Sequence, residues 1–91
     1  MIRLVQITKW AEGYRLKDVY LNPKHIVYMS ESYSEKSDLL EGKMALGLDQ
    51  QATFTKIKIN HNSELSEIVV VGSPENIESK IHKSKKTLLR G

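Results

Sequence analysis

The sequence predicts an α+β fold: a small antiparallel β-sheet of about five strands, one C-terminal helix, and a long loop between strands 3 and 4. Three observations predict it. Short runs rich in β-branched and aromatic residues alternate with turn residues along most of the chain. The connections between the first three runs are short, which favours antiparallel neighbours. The last run passes through Gly72 into a segment with helical spacing of its apolar residues.

The first three strands are short and closely spaced. Both faces of residues 2–8 are partly apolar, so we expect this strand to be covered on both sides. Glu12-Gly13 and Asn22-Pro23 are typical turn pairs, because glycine tolerates unusual backbone angles and proline presets its own. The strands are predicted over residues 2–8, 16–21 and 26–29, with turns over residues 9–14 and 22–25.

A long connection separates strands 3 and 4. Residues 30–51 are rich in serine and glycine, and about 22 residues is long for a connection in a compact domain. Ser37 could cap a single helical turn within it. The connection also holds more apolar residues than a flexible linker needs, which predicts that they bury against another surface, a second subunit being one alternative. These residues are Leu39, Leu40, Met44, Leu46 and Leu48.

Two further strands and a helix complete the chain. Strands are predicted over residues 53–59 and 65–71, with a hairpin turn at residues 60–63. Ser73 then stands at the N-cap of a helix and Pro74 at its first position. Pro74 lacks an N–H donor and Glu75 adds negative charge, so the Gly72-Ser73 turn is predicted to cap the helix rather than to bind phosphate. One helix face holds Ile77, Ile81, Ser84 and Leu88.

Length and composition indicate one domain over residues 1–82 with a basic C-terminal tail over residues 83–91. A chain of this size buries only about 60–65% of its unfolded surface, and this thin core favours a homo-oligomer. The absence of cysteine excludes disulfides and thiolate metal sites and favours a cytoplasmic protein. No signal-peptide pattern occurs, and no run approaches the roughly 20 apolar residues of a membrane span, so no membrane partner is expected.

The charge is concentrated at the C-terminal end. Residues 1–79 hold 9 lysines and arginines against 11 acids, whereas residues 80–91 hold 5 cations and no acid. Such a segment could neutralise phosphates, which makes nucleic acid an alternative partner. The alternative to a binding role is a solvated helix end whose cations suit the helix dipole. The candidate nucleic-acid contacts are Lys80, Lys83, Lys85, Lys86 and Arg90.

The sequence predicts no enzyme, no cofactor and no metal. His25, His61 and His82 have neither the spacing of a helical metal pair nor an accompanying carboxylate motif. No nucleophile elbow and no distinct pair of acids occurs. Exposed aromatic and apolar residues outside the core are instead favoured anchors of protein interfaces. The candidate interface residues are Trp10, Tyr14, Tyr33, Leu39, Leu40, Met44 and Leu46.

Several segments resemble a known family. The chain opens with "MIRL", continues with "VYLNPKHIVYM" and "TKIKI", and ends in "IVVVGSPENIESKI". These segments resemble the FlbD/swarming-motility type of small flagellar protein over about half the chain, and small phage-encoded accessory proteins have a similar layout. The resemblance implies a cytoplasmic, non-enzymatic protein. Together with the composition, it predicts a small oligomeric binding or adaptor protein, with a nucleic-acid-binding regulator as the alternative.

Overall fold

A computed structural model describes residues 1–90, with side chains described for residues 1–83. It confirms the predicted α+β fold. The five strands are β1 (Ile2–Trp10), β2 (Gly13–Leu21), β3 (Ile26–Glu31), β4 (Phe54–His61) and β5 (Glu64–Val71). The helices are α1 (Tyr33–Leu40) and α2 (Pro74–Arg90), and a 3₁₀ turn covers Pro23–His25. Within these described residues, no helix is long and apolar enough to cross a membrane.

The strand order requires a curled sheet. The order is β2-β1-β5-β4-β3, and each neighbouring pair is antiparallel. β2 and β3 are therefore the edges, yet only residues 22–25 join them. A flat sheet would separate these edges by about 19 Å. Five extended Cα–Cα steps reach at most about 18 Å, and less through a 3₁₀ turn, so the sheet curls and brings its edges toward each other.

The inner layer of the core lies between the sheet and α2. It unites strands from both halves of the sheet with Ile77 of α2, which is almost fully buried. Partly buried side chains from both edge strands, Val19 and Met29 among them, pack against the same cluster, as the curl of the sheet requires. The buried members of this inner cluster are Ile2, Leu4, Leu21, Ile57, Val70 and Ile77.

The opposite face of the sheet is covered by α1 and residues 41–53. Ile7 of β1 lies in a second buried cluster with Leu39, Met44 and Phe54. Successive side chains of a strand point to opposite faces, so β1 contributes to both clusters, and the prediction that it is covered on both sides is confirmed. Leu39 and Met44 bury against this chain's own sheet, so their burial needs no second subunit.

The helix α1 is the main difference from the sequence prediction, which allowed only a helical turn after Ser37. The helix begins at Tyr33, directly after Ser32. The Ser32 hydroxyl donates a hydrogen bond to the Glu35 carboxylate, and the Ser32 N–H donates to the carbonyl of Phe54 at 2.8 Å. Serine followed three residues later by glutamate is a helix-start pattern, and this Ser32–Glu35 spacing is the signal that the prediction missed.

Lys36 forms hydrogen bonds with the segment that follows α1. Its Nζ donates to the carbonyl oxygens of Gln50 at 2.6 Å and Ala52 at 2.7 Å. Two carbonyls near the end of residues 41–53 are thereby satisfied by one ammonium group. The predicted loop is consequently a folded layer rather than a flexible linker.

The Gly72-Ser73 turn caps α2, as predicted. Ser73 Oγ accepts a hydrogen bond from the Asn76 N–H at 3.1 Å, and its carbonyl accepts one from Ile77. Gly72 has a φ of +123°, a conformation that glycine adopts readily. The carbonyl of Gly72 accepts a bond from the buried hydroxyl of Thr55 at 2.7 Å. The residues of this turn therefore have folding roles that require no bound phosphate.

Candidate functional site

The tip of the β1–β2 hairpin carries Lys9, Trp10, Tyr14 and Arg15, which we call the hairpin surface. By the alternation of the strands, Trp10 and Arg15 lie on the face of the sheet that α2 covers, and Lys9 and Tyr14 lie on the face that α1 covers. The two strands pair from Ile2 opposite Leu21 up to Trp10 opposite Gly13, which leaves two residues, 11 and 12, for the turn. Both strands are longer at this end than the predicted turn over residues 9–14 allowed. All four members of the hairpin surface therefore lie on paired backbone rather than on a loop.

Trp10 is half exposed, at 52% of its surface, but its ring is held in place. The indole Nε1 donates to Thr8 Oγ1 at 2.9 Å. The guanidinium carbon of Arg15 lies 4.4 Å from the centroid of the indole ring. Guanidinium groups stack favourably on aromatic faces, most of all on tryptophan. The hairpin tip thus presents an ordered indole and an ordered cation side by side.

Tyr14 anchors the hairpin to α1. Its hydroxyl donates to Asp38 Oδ2 at 2.5 Å. Lys9 Nζ lies 3.7 Å from the same carboxylate oxygen and 5.7 Å from the Tyr14 ring. Burial and the neighbouring carboxylate of Asp38 raise the pKa of Tyr14 well above its usual range. The hydrogen bond from Tyr14 lowers the pKa of Asp38, partial burial opposes that shift, and Lys9 adds to it.

The tip of the hairpin also forms a cleft. A shallow cleft of about 400 Å³ is lined by residues 10–15 alone. A cleft formed by one hairpin tip is open to solvent. No group of three or more possible metal ligands occurs among the residues that the structure describes. The hairpin surface exposes the indole of Trp10 beside the cation Arg15.

The structure distributes the other predicted interface residues differently. Tyr33 and Leu40 are exposed on α1, and the Tyr33 hydroxyl donates to Glu31 at 3.3 Å. Leu39 and Met44 are buried in the second cluster, the one that contains Ile7 and Phe54, and Leu46 packs against it half-buried. Leu39 and Met44 are therefore core residues and not exposed contacts.

The basic face of α2 is only partly described. Lys80 and Lys83 line a cleft of about 340 Å³ between α2 and the end of β5, with Gly72 and Asn76 among the other lining residues. Lys80 Nζ makes a long contact of 3.4 Å to the carbonyl of Arg3. α2 runs across the predicted domain boundary at residues 82 and 83. The remaining predicted cations, Lys85, Lys86 and Arg90, lie outside the residues whose side chains are described.

Sequence reasoning identified Trp10 and Tyr14 but missed Lys9, Arg15 and Asp38. Lys9-Trp10 and Tyr14-Arg15 flank the turn symmetrically, and this repeated pairing of a cation with an aromatic residue was the available signal. Asp38 had no such signal, because its contact with Tyr14 spans 24 residues and depends on how α1 crosses the sheet.

No protein-family model matches the chain, and neither the curated proteins nor the solved structures contain a match to it. The resemblance to swarming-motility proteins therefore stays a prediction. Any function must be inferred from the hairpin surface and the other features of the chain itself.

Proposed function

We propose that this chain is a small non-enzymatic binding protein, an adaptor, that engages a protein partner through the hairpin surface. The observation that supports the proposal is the ordered pair of Trp10 and Arg15 on one face of the hairpin tip, with Tyr14 on the other face anchoring the hairpin to α1. Tryptophan, tyrosine and arginine are the residue types that contribute most often to the energetic centres of protein interfaces. A cytoplasmic location, which the lack of cysteine favours, is part of the proposal.

The fixed geometry of these side chains favours binding. A side chain that is ordered only on association costs about 0.5–1.5 kcal/mol. The hydrogen bond to Thr8, the stacked guanidinium of Arg15 and the bond from Tyr14 to Asp38 order the site before a partner arrives. This part of the association cost is thereby reduced, and truncation of Trp10 and Arg15 together is expected to weaken binding at least tenfold.

The charges near the hairpin surface indicate the chemistry of the partner. Arg15 stacks on the indole and Lys17 follows on the same face of β2, whereas Lys9 lies on the opposite face beside Asp38. The acids of the hairpin are Glu12 and Asp18. The partner that fits is a protein surface with a carboxylate next to an apolar patch, because the guanidinium can bind the carboxylate while the indole buries apolar area.

Cross-linked affinity capture from the source organism tests this proposal. The bait proteins are the wild type, a W10A/R15A double variant and a Y20A control. Tyr20 is a suitable control because it is an aromatic residue on β2, the strand that also carries Arg15, and lies outside the hairpin surface. Its side chain is 67% exposed. We expect the wild type and Y20A to capture the same protein and W10A/R15A to lose it. Equal capture by a correctly folded W10A/R15A protein would remove the hairpin surface as the binding site.

Self-association is a separate part of the proposal. It is supported by the small core and by the two sheet edges, β2 and β3, which have no strand partner on their outer sides among the described residues. The apolar residues of α1 and of residues 41–53 give self-association less support, because Leu39 and Met44 are buried in this chain's own core. Light scattering over a tenfold range of protein concentration measures self-association. A monomeric mass at every concentration would contradict this part of the proposal.

Nucleic-acid binding by α2 is the second candidate function, and the cleft lined by Lys80 and Lys83 favours it. Phosphate contacts give affinity that falls steeply with salt. Changing Lys80, Lys83, Lys85 and Lys86 to glutamine should weaken binding to every nucleic-acid sequence and flatten the salt dependence. Unchanged binding by this quadruple variant would exclude α2 as the contact.

A further inference from the structure

Two histidines from distant parts of the chain meet at one end of the sheet. The ring centroids of His25 and His61 lie 4.8 Å apart, and the ring planes are inclined at 56°. His25 ends the 3₁₀ turn between the two edge strands, and His61 ends β4. Both rings lie outside the two buried clusters, with His25 half-buried and His61 exposed.

We propose that His25 and His61 form a two-imidazole site for a divalent transition-metal ion such as Zn²⁺ or Ni²⁺, with water in the remaining coordination positions. Imidazole nitrogens are preferred ligands of these ions. The proposal is independent of the hairpin surface and does not require a catalytic role for the metal.

The spacing of the rings fits a shared metal. A metal–nitrogen bond of about 2.0–2.1 Å, with the nitrogen about 1.2 Å from the ring centre, places each centroid about 3.2 Å from the ion. Two such rings would have centroids about 4.5 Å apart at a 90° bond angle and about 5.2 Å apart at a tetrahedral angle. The observed 4.8 Å lies between these values.

The side chain of Asn62 is a polar neighbour of the His61 ring. The Asn62 amide nitrogen lies 3.3 Å from His61 Nε2. A metal binds the ring nitrogen that carries no hydrogen, and a neutral imidazole always has one such nitrogen. A metal would displace this long contact.

The backbones that hold the two rings are well defined. Asn22 Oδ1 accepts a bond from the Lys24 N–H at 3.0 Å, and the His25 N–H donates to the Asn22 carbonyl at 3.0 Å. The two-residue turn after His61 has positive φ at Asn62 and Ser63, as a type I′ hairpin requires. The site would hold two protein ligands, because the described residues contain no group of three or more.

Calorimetric titration of the tag-free protein with NiCl₂ tests the site. We expect one ion per chain, with binding weakened at least tenfold in both H25Q and H61Q. His82 is the matched control, because it is the third histidine and lies on α2 beside Glu78. H82Q should bind as the wild type does. Wild-type affinity in H25Q or H61Q, loss of binding only in H82Q, or no binding by the wild type would each overturn the proposal.

A second measurement guards against a variant that is merely destabilised. An ion that binds only the folded chain raises its Tm. NiCl₂ should raise the Tm of the wild type and of H82Q but not that of H25Q or H61Q, each compared with its own metal-free Tm. An equal rise in all four proteins would contradict a shared two-imidazole site.

Discussion

Tyr14, on the edge strand β2, donates its hydroxyl hydrogen to Asp38 of α1 at 2.5 Å. This bond joins residues 24 positions apart and connects the first hairpin to the layer that covers the outer face of the sheet. Lys9 of β1 lies 3.7 Å from the same carboxylate. Tyr14 and Lys9 therefore join the hairpin tip to α1, and disturbing the bond should loosen α1.

Replacing Tyr14 by phenylalanine should loosen α1. The variant keeps the ring and leaves Asp38 without its hydroxyl donor, so we expect the Tm to fall by a few degrees. Hydrogen exchange should become faster in α1 than in β4. Y20F is the control, since it removes a hydroxyl from an exposed tyrosine on the same strand. A Tm change in Y20F as large as that in Y14F would contradict the role given to the bond.

The contribution of Asp38 should depend on pH. Its pKa is lowered in the folded protein, mainly by the bond from Tyr14 and also by Lys9. A group with a lowered folded pKa stabilises the fold above its unfolded value, about 3.9, and this contribution is lost as the pH falls through the folded value. Urea unfolding at pH 7 and pH 3 should therefore show a smaller stability difference between wild type and Y14F at pH 3. An equal difference at both pH values would contradict the assignment.

Neighbouring leucines on α1 test whether the outer layer belongs to this chain's own core. Leu39 is 5% exposed and Leu40 is 55% exposed. Leu39→Ala should lower the free energy of unfolding by about 2–5 kcal/mol, because it leaves a cavity against Phe54 and Ile7. Leu40→Ala should change it by less than about 0.5 kcal/mol. Chemical denaturation measures both, and similar losses at the two positions would show that the layer packs differently.

The β4–β5 turn offers a stabilising substitution. Asn62 has a φ of 51° and Ser63 has a φ of 65°. A positive φ is unfavourable for serine, whereas glycine adopts it readily. Ser63→Gly converts the turn to Asn-Gly, the preferred type I′ pair, and should raise the stability by about 0.5–1 kcal/mol. Ser63→Ala is the control and should give no gain. A destabilised S63G variant would argue against the type I′ geometry.

Local rules predicted much of the fold. Turn pairs such as Asn22-Pro23 and the Ser73-Pro74 helix start act over a few residues, so the sequence identified them. The covering of β1 on both faces also followed from its pattern of apolar residues. These features depend on spacing within one element.

Features that depend on distant contacts were beyond the sequence. Apart from Tyr33, the only apolar residues of α1 are Leu39 and Leu40, so the helix has little apolar periodicity in its sequence. Its position depends on hydrogen bonds with Tyr14 and Phe54, which belong to other elements. The stacking of Arg15 on Trp10 needed the strand register, which composition does not give. The sequence therefore pointed to the hairpin turn but not to the cations and the carboxylate around it.

Fluorescence of Trp10 tests the central claim most directly, because it is the chain's only tryptophan and lies on the proposed binding surface. Acrylamide quenching would be measured on the free protein and on its complex with the captured partner, with every tryptophan of the partner replaced by phenylalanine. If the hairpin surface binds the partner, quenching of Trp10 should fall several-fold in the complex and its emission should shift to shorter wavelength. Unchanged quenching in a saturated complex would place the binding site elsewhere and contradict the proposed function.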